Sequence, residues 1–321
     1  MRLILFLSLF CAVLSHAETA KIYPDGIIAL SADTRFSKYA FVVDKTARKL
    51  QVYKNDGELL ALVEEYPTDI GKNSGDKQKQ NDHRTPVGIY FLTDKKTQPE
   101  IPFQEYGSLA FTTDYPNIFD KRFAKTGSGI WLHAVPDSVP LTRGSRGCVV
   151  VRNDVIKHLS EYIQLGQTPM IIAEKINLLS KEDYLKQKKD YLDQFEKWRA
   201  AWEQSDVDTY IKFYDETFRN NEMNYKQWYR HKSKLKKLYK YIKVSLLPPT
   251  ILRNKEQVVI RTAQKYESDL HQDFGEKTIH AGYSGETGFK IIREDWRPLE
   301  ASHLTDQNNG QTNAKISADR H

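Results

Sequence analysis

One cysteine and one histidine have the residue types and spacing for nucleophilic chemistry. Cys148 ends a Ser-Arg-Gly-Cys run, and His133 precedes it by fifteen positions. A cysteine attacks as a thiolate, which a nearby imidazole can generate by taking the proton. The other cysteine, Cys11, falls in an apolar N-terminal segment that we expect to be removed, which leaves Cys148 without a disulfide partner. Cys148 is therefore either a reactive thiol or a small buried residue before Val149–Val151.

The residues around Cys148 favour the reactive interpretation. Gly147 permits a tight turn and a close approach of substrate, so the amides of Gly147 and Cys148 are the predicted oxyanion site. A guanidinium such as that of Arg146 suits a carboxylate. The predicted substrate-binding set is Arg146, Ser145, His83 and Arg84.

Two of these predictions have simpler alternatives. A loop histidine such as His83 is more often merely solvated than part of a site. A metal site made of Cys148, His133 and His158 fits the residue types, but His158 lies in a predicted helix without ligand-like spacing to the other two. We therefore expect no metal and no other cofactor.

The N-terminus and the charge indicate where the protein acts. Residues 1–17 contain a positive residue, an apolar run and a small-residue cleavage site, the pattern of a secretory signal. The run is shorter than the roughly 20 residues that span a bilayer, so we expect a periplasmic protein with no membrane span. The net charge of +6 would suit nucleic acid, but an exported protein rarely meets it. An anionic envelope polymer fits better.

The chain is long enough for two domains. Residues 36–178 alternate strand-like runs with turn residues and hold one clear helix over residues 153–164, which predicts a mostly β domain. Residues 179–300 carry three helical segments and then strand-like runs, which predicts an α+β domain. We assign residues 18–35 as an N-terminal segment and residues 301–321 as a flexible polar tail.

Residues 39–173 resemble the YkuD-type L,D-transpeptidase catalytic domain. The resemblance rests on His133, on the Ser-x-Gly-Cys motif ending at Cys148, and on the Arg-Thr-Pro-Val-Gly segment that begins at Arg84. It implies a β-sandwich in which Cys148 is the nucleophile and His133 the base. It also implies a peptidoglycan stem peptide as substrate: the thiolate attacks the carbonyl of diaminopimelate, expels D-alanine and leaves a thioester.

Two positions depart from the family pattern. Arg146 stands where members commonly have histidine, and Val150 stands where they commonly have arginine. Arg146 is placed to hold a stem-peptide carboxylate, while Val150 puts the usual crosslinking arrangement in doubt. The alternative interpretation is drift without consequence.

The second domain resembles a SnoaL-like (nuclear-transport-factor-like) cone, with three helices on a curved antiparallel sheet. A YkuD-type domain followed by such a cone is the layout of the cell-shape LD-carboxypeptidases of helical and curved bacteria, so hydrolysis is the leading prediction. An L,D-transpeptidase that forms crosslinks or attaches protein is the alternative, and a non-catalytic wall-binding module is a remote third. The predicted pocket residues of the cone are Tyr266, Tyr283 and Arg261, although aromatic residues at such spacing often form a core.

Overall fold

The computed structural model describes residues 22–299 except residues 221, 286 and 287. The predicted signal segment (1–17) and tail (301–321) lie outside the described residues. The strands of the N-terminal half are β1 (Tyr23–Pro24), β2 (Ile27–Ala29), β3 (Tyr39–Asp44), β4 (Lys49–Asp56), β5 (Leu59–Pro67), β6 (Gly88–Thr97), β7 (Leu109–Thr113), β8 (Trp131–Ala134), β9 (Val149–Val151), β10 (Pro169–Ala173) and β11 (Leu178–Leu179). Those of the C-terminal half are β12 (Ile242–Leu246), β13 (Thr250–Asn254), β14 (Gln257–Ser268), β15 (Gln272–Ser284) and β16 (Gly288–Pro298).

The helices are α1 (Phe103–Tyr106), α2 (Ile118–Arg122), α3 (Asn153–Leu159), α4 (Lys181–Glu203), α5 (Val207–Tyr210) and α6 (Tyr225–Leu238). Short 3-10 turns follow α3 and α5. Ser180 caps α4 by accepting a hydrogen bond from the Asp183 amide at 3.1 Å. In the described part of the chain, no helix combines the length and hydropathy needed to cross a bilayer.

Eight strands of the N-terminal half form one sheet in the order β5-β4-β3-β10-β6-β7-β8-β9. Strand β6 joins the two ends of this sheet, because residues 88–91 pair with β10 and residues 92–97 pair with β7. A register shift between Leu92 and Asp94 marks the change of partner. The sheet curls there, and residues from both ends pack into one apolar core. The predicted mostly β catalytic domain is confirmed.

Strands in the middle of this sheet bury both faces. Phe41 and Met170 point into the core of the curled sheet. Their neighbours Val42 and Ile171 point the other way, into a second apolar cluster. Alternation along each strand sends successive side chains to opposite faces, so the second face needs a cover of its own.

The C-terminal half supplies that cover. Its sheet has the order β16-β15-β14-β13-β2, with β12 also paired to β14, and α4 packs against the face that carries Val258 and Ile260. The predicted α+β cone is confirmed. Strand β2 comes from the N-terminal segment and pairs with β13, so the segment assigned to residues 18–35 belongs in part to the cone sheet. Sequence analysis missed both β2 and β13.

The two domains share a hydrophobic cluster. Ile27, Leu252, Val259 and Ile292 of the cone sheet pack in the cluster that contains Ile171 of β10. Burying an aliphatic side chain of this size contributes about 1.5–3 kcal/mol. The cone therefore stabilises the catalytic sheet as well as its own core.

Candidate active site

The predicted nucleophile and the predicted base lie on or beside two neighbouring strands. Strands β8 and β9 are parallel, with Leu132 opposite Val149 and His133 opposite Val150. Cys148 immediately precedes β9, so the strand pairing brings it beside the strand that carries His133. Both side chains line one cleft of about 510 Å³. The fifteen-residue separation in the sequence thus becomes a short distance across one pair of strands.

Backbone contacts hold the cysteine loop in place. The Ser145 amide donates to the Ile70 carbonyl at 2.7 Å, and the Lys72 amide donates to the Ser145 carbonyl at 3.0 Å. The Gly144 amide donates to the Asp69 carboxylate at 2.7 Å. The segment from Asp69 to Lys72 therefore fixes the loop from which Cys148 projects.

Gly147 has no room for a side chain. Its φ is +132°, and a Cβ atom there would lie 2.7 Å from the Arg84 carbonyl oxygen. This contact explains why the segment beginning at Arg84 accompanies the cysteine motif. The side chains of Arg84 and His83, predicted to bind substrate, do not line the cleft; the His83 carbonyl instead accepts the Asn73 amide at 3.2 Å.

Ser145 was predicted to bind substrate and the Gly147 amide to bind the oxyanion, but both form hydrogen bonds within the turn. The Gly147 amide donates to Ser145 Oγ at 3.0 Å, and that hydroxyl donates to the Cys148 carbonyl at 2.7 Å. Ser145 thus ties the turn together instead of offering its hydroxyl to a ligand. Because the Gly147 amide is occupied, the Cys148 amide is the remaining member of the predicted oxyanion pair.

His133 is oriented by its own strand. Its Nδ1 lies 2.6 Å from the Ala134 carbonyl, and since a carbonyl can only accept, Nδ1 carries the proton and Nε2 is left as the acceptor. Burial lowers the pKa of His133 to about 4. The imidazole is therefore neutral at pH 7 and can act as a general base.

The thiol of Cys148 is also neutral at rest. Its sulfur donates to the Gly129 carbonyl at 3.4 Å, and burial raises the pKa of Cys148 to about 11. The resting site thus contains a thiol and a neutral imidazole, not a preformed thiolate–imidazolium pair. Proton transfer to His133 has to accompany attack on the substrate.

A short helix adds an aromatic wall that sequence analysis missed. Tyr106 at the end of α1 lies edge-on to the His133 ring, with centroids 5.0 Å apart, and its ring is 4.9 Å from that of Trp131. Gly107 ends the helix with φ +63°, and a Cβ there would lie 2.6 Å from Ala134 Cβ. No local motif points to Tyr106, because β7 and β8 bring α1 to the site.

The charged lining of the cleft is mostly basic. Its charged residues are Lys72, Lys77, Glu105, Arg143 and Arg146. Lys77 pairs with Asp82 at 2.8 Å, and Arg146, which was predicted to bind substrate, pairs with Glu105 at 2.8 Å. Arg143 lies three residues before Arg146 in the same loop, a proximity that could have identified it from the sequence. The lining favours an anionic ligand.

The three residues predicted for the cone pocket lie apart from one another. Tyr266 is buried in the cone core, where its ring stacks 5.6 Å from that of Trp202. Tyr283 lies near the other end of the cone and stacks on Tyr191 at 5.7 Å.

Arg261 is not a pocket residue, and its placement corrects the prediction. Its guanidinium lies 3.3 Å from the centroid of the Phe91 ring in the catalytic sheet and donates to the Gly166 carbonyl at 2.5 Å. Strand alternation puts Arg261 on the face opposite to Tyr266, so it joins the two domains.

Comparisons with known proteins agree with this geometry. Residues 38–172 match the L,D-transpeptidase catalytic domain called YkuD, and residues 190–295 match the Cds6 C-terminal NTF2-like domain. Residues 38–172 therefore form a catalytic domain of the YkuD family, and an NTF2-like domain follows it. This family acts on peptidoglycan, and its catalytic domain is that of a cysteine-dependent L,D-transpeptidase-type enzyme.

Two solved structures share the two-domain layout. Bd1075 of Bdellovibrio bacteriovorus is 53% identical, with a TM-score of 0.81 over 87% of this chain and 99% of that one. The helical cell shape determining protein Pgp2 of Campylobacter jejuni is 29% identical, with a TM-score of 0.66 over 84% of this chain and 96% of that one.

A further relative matches only in part. YafK, a candidate L,D-transpeptidase of Escherichia coli, is 26% identical over 122 residues. The match spans 37% of this chain and 44% of YafK, so the chain covers less than half of that relative.

Proposed function

We propose that the protein is a peptidoglycan LD-carboxypeptidase that removes terminal D-alanine from tetrapeptide stems, leaves tripeptides and so influences cell shape. The observation that carries the proposal is the Cys148–His133 pair, buried in a cleft whose charged lining is mostly cationic. A stem peptide with a free carboxylate suits that lining. The similarity to Pgp2, a helical cell shape determining protein, supports the same conclusion.

The chemistry proceeds through a thioester. As Cys148 attacks the carbonyl carbon of the diaminopimelate–D-alanine bond, its proton passes to His133 Nε2. The tetrahedral oxyanion lies at the Cys148 amide. The amide bond then breaks, and His133 returns the proton to the departing amine of D-alanine. Water next attacks the thioester, with His133 again as base, and releases the tripeptide and the free thiol.

The surroundings of Val150 support water as the acceptor. Val150 is buried in a small apolar cluster with Val135 and Cys148. An arginine at this position would place a cation next to the nucleophile, where it could hold the carboxylate of an incoming acceptor strand. Valine cannot bind the carboxylate of an acceptor strand in this way, which favours hydrolysis over crosslinking.

The L,D-transpeptidase is the second candidate. The thioester is common to both reactions, and an amine in place of water would give a crosslink or an attached protein. The match of residues 38–172 to an L,D-transpeptidase catalytic domain favours this candidate. A non-catalytic wall-binding module would leave the arrangement of Cys148 and His133 without a use.

A wall-modifying family implies a periplasmic or extracellular location. We propose the periplasm, reached through the signal predicted at residues 1–17. Peptidoglycan is the expected partner, through its tetrapeptide stem and its glycan strand.

We also propose that the cone helps to hold the enzyme on the wall. Helix α6 supports this role, because its exposed cations form no ion pair within the described structure; they are Lys226, Arg230, Lys234, Lys236 and Lys237. Such a surface attracts an anionic polymer and raises the local concentration of enzyme. It leaves the chemical step at Cys148 unchanged.

Digestion of purified sacculi tests the proposal. The protein should convert disaccharide-tetrapeptide into disaccharide-tripeptide with release of D-alanine, and Cys148→Ala should not. Mass analysis of the muropeptides reads both products. A product spectrum dominated by dimers linked between diaminopimelate residues would establish the transpeptidase instead, and no change in the wild-type digest would favour the binding module.

A further inference from the structure

An ion pair spans the rim of the catalytic cleft. Arg146 Nη2 donates to Glu105 Oε2 at 2.8 Å, and the two side chains are 70% and 54% exposed. Among the described residues, the charged ones that line the cleft are one carboxylate, Glu105, and four cations. The carboxylate thus lies where the charge of the lining favours an anion.

The pair connects the two elements that frame the catalytic residues. Glu105 precedes Tyr106, whose ring contacts His133. Arg146 lies two residues before Cys148, on the loop held by the backbone contacts of Ser145. Burial is the main cause of the raised pKa of Cys148 and of the lowered pKa of His133, and the positive charge of Arg146 also acts on both groups, more weakly. Whatever carboxylate binds Arg146 is therefore close to the reaction.

This contact is easy to exchange. An ion pair that is open to water is weak, because solvent and salt screen it. One nitrogen and one oxygen form the present contact, whereas a guanidinium can bind a free carboxylate through two parallel hydrogen bonds. A ligand that makes both bonds gains more than the contact with Glu105 provides.

We propose that Glu105 is a resting substitute for a substrate carboxylate. In the free protein it occupies Arg146; on binding, a carboxylate of the stem peptide replaces it, and Glu105 turns to solvent. Arg146 is then the residue that selects a carboxylate-bearing peptide. Glu105 competes with that carboxylate for Arg146 and so weakens the binding of the substrate. This inference rests on the proposed function for its substrate class.

The kinetics of D-alanine release from a soluble disaccharide-tetrapeptide test it. Arg146→Gln should raise KM about tenfold, the loss of one charge-assisted contact. Glu105→Gln should lower KM about threefold, because the competing carboxylate is gone. In the double variant, Glu105→Gln should have no further effect, since both residues act through one contact. The opposite signs separate this mechanism from general damage to the site.

A matched control is available outside the cleft. Glu100 is 55% exposed and pairs with Lys96 at 3.3 Å, so Glu100→Gln removes a similar exposed carboxylate. It should leave KM and kcat unchanged. All variants should melt close to the wild type, because exposed ion pairs contribute little stability.

Two blocked substrates identify the carboxylate. One carries an amide at the C-terminal D-alanine, and the other carries an amide on the side-chain carboxylate of diaminopimelate. When the amide blocks the carboxylate that Arg146 binds, the wild type should show the same raised KM as Arg146→Gln. With that blocked substrate, Glu105→Gln should no longer lower KM.

The inference fails if Glu105→Gln leaves KM unchanged or raises it, or if Arg143→Gln alone weakens binding while Arg146→Gln does not. Equilibrium binding of the tetrapeptide, measured in the Cys148→Ala background, tests the exchange without turnover. Affinities that shift as described, in a protein whose wild type releases no D-alanine, would uphold the inference and refute the carboxypeptidase. Equal affinities of the variants in an active carboxypeptidase would refute the inference and leave the proposed function standing.

Discussion

Alkylation of Cys148 should follow the pH curve of a buried, neutral thiol. Burial raises the pKa of Cys148 to about 11 and lowers that of His133 to about 4, so neither group is charged at pH 7. A thiol with a pKa of about 11 is about 0.01% thiolate at pH 7, against about 3% for an ordinary cysteine with a pKa of about 8.5. The thiolate, which is the reactive form, should therefore be about 300-fold scarcer than in the unfolded chain.

The assay is the rate of iodoacetamide addition, followed by intact-protein mass spectrometry from about pH 6 to about pH 10. Cys11 is replaced by serine so that Cys148 is the single thiol of the chain. The logarithm of the rate should rise steadily with pH across this range. The same protein in urea supplies the reference curve, which should level off above about pH 8.5.

The shape of the curve decides the outcome, because restricted access slows alkylation equally at every pH. His133→Ala should leave the shape unchanged, since a neutral imidazole does not stabilise a thiolate. A plateau below about pH 8 that disappears in His133→Ala would refute the reasoning. It would show that the site rests as a thiolate–imidazolium pair.

Five further outcomes are expected. Cys148→Ala should abolish D-alanine release with the fold intact, and His133→Ala should slow acylation by about 10²–10⁴-fold in single-turnover assays. Burial lowers the pKa of His133 and of His280 to about 4. The unfolded chain takes up these two protons near pH 6.5, so each histidine should lower the free energy of unfolding by about 3 kcal/mol as the pH falls from 6.5 to 4. Chemical denaturation at several pH values measures this change. Tyr266→Phe removes a buried hydroxyl that has no hydrogen-bond partner in the described structure and should keep or raise the melting temperature; reduced binding to sacculi by this stable variant would instead support a ligand pocket. Deletion of residues 180–298 should leave an insoluble protein, because it exposes the apolar face of the catalytic sheet on which Ile171 packs against the cone. A soluble, active fragment would show that the shared cluster is dispensable.

Much of the fold could be predicted from local patterns. The helix cap at Ser180 and the apolar spacing along α4 depend on neighbours within a few residues, so the sequence contains them directly. The same holds for the alternation along β14, where Val258 and Ile260 face the cone interior and Val259 faces the catalytic sheet. Strand β2 could not be found in this way, because its partner lies more than 200 residues further along the chain.

For the candidate active site, the sequence by itself determined the YkuD-type domain and the choice of Cys148 and His133 as the proposed nucleophile and base, because the cysteine motif and the histidine are short patterns with a definite spacing. Only the tertiary structure decided what surrounds them. Glu105 and Tyr106 reach the cleft through the pairing of β7 with β8. Arg261 contacts the catalytic domain because the other face of its strand packs in the cone core. The neutral state of Cys148 and His133 follows from burial. Burial and strand order depend on which distant segments meet, and no local pattern of residues contains that information.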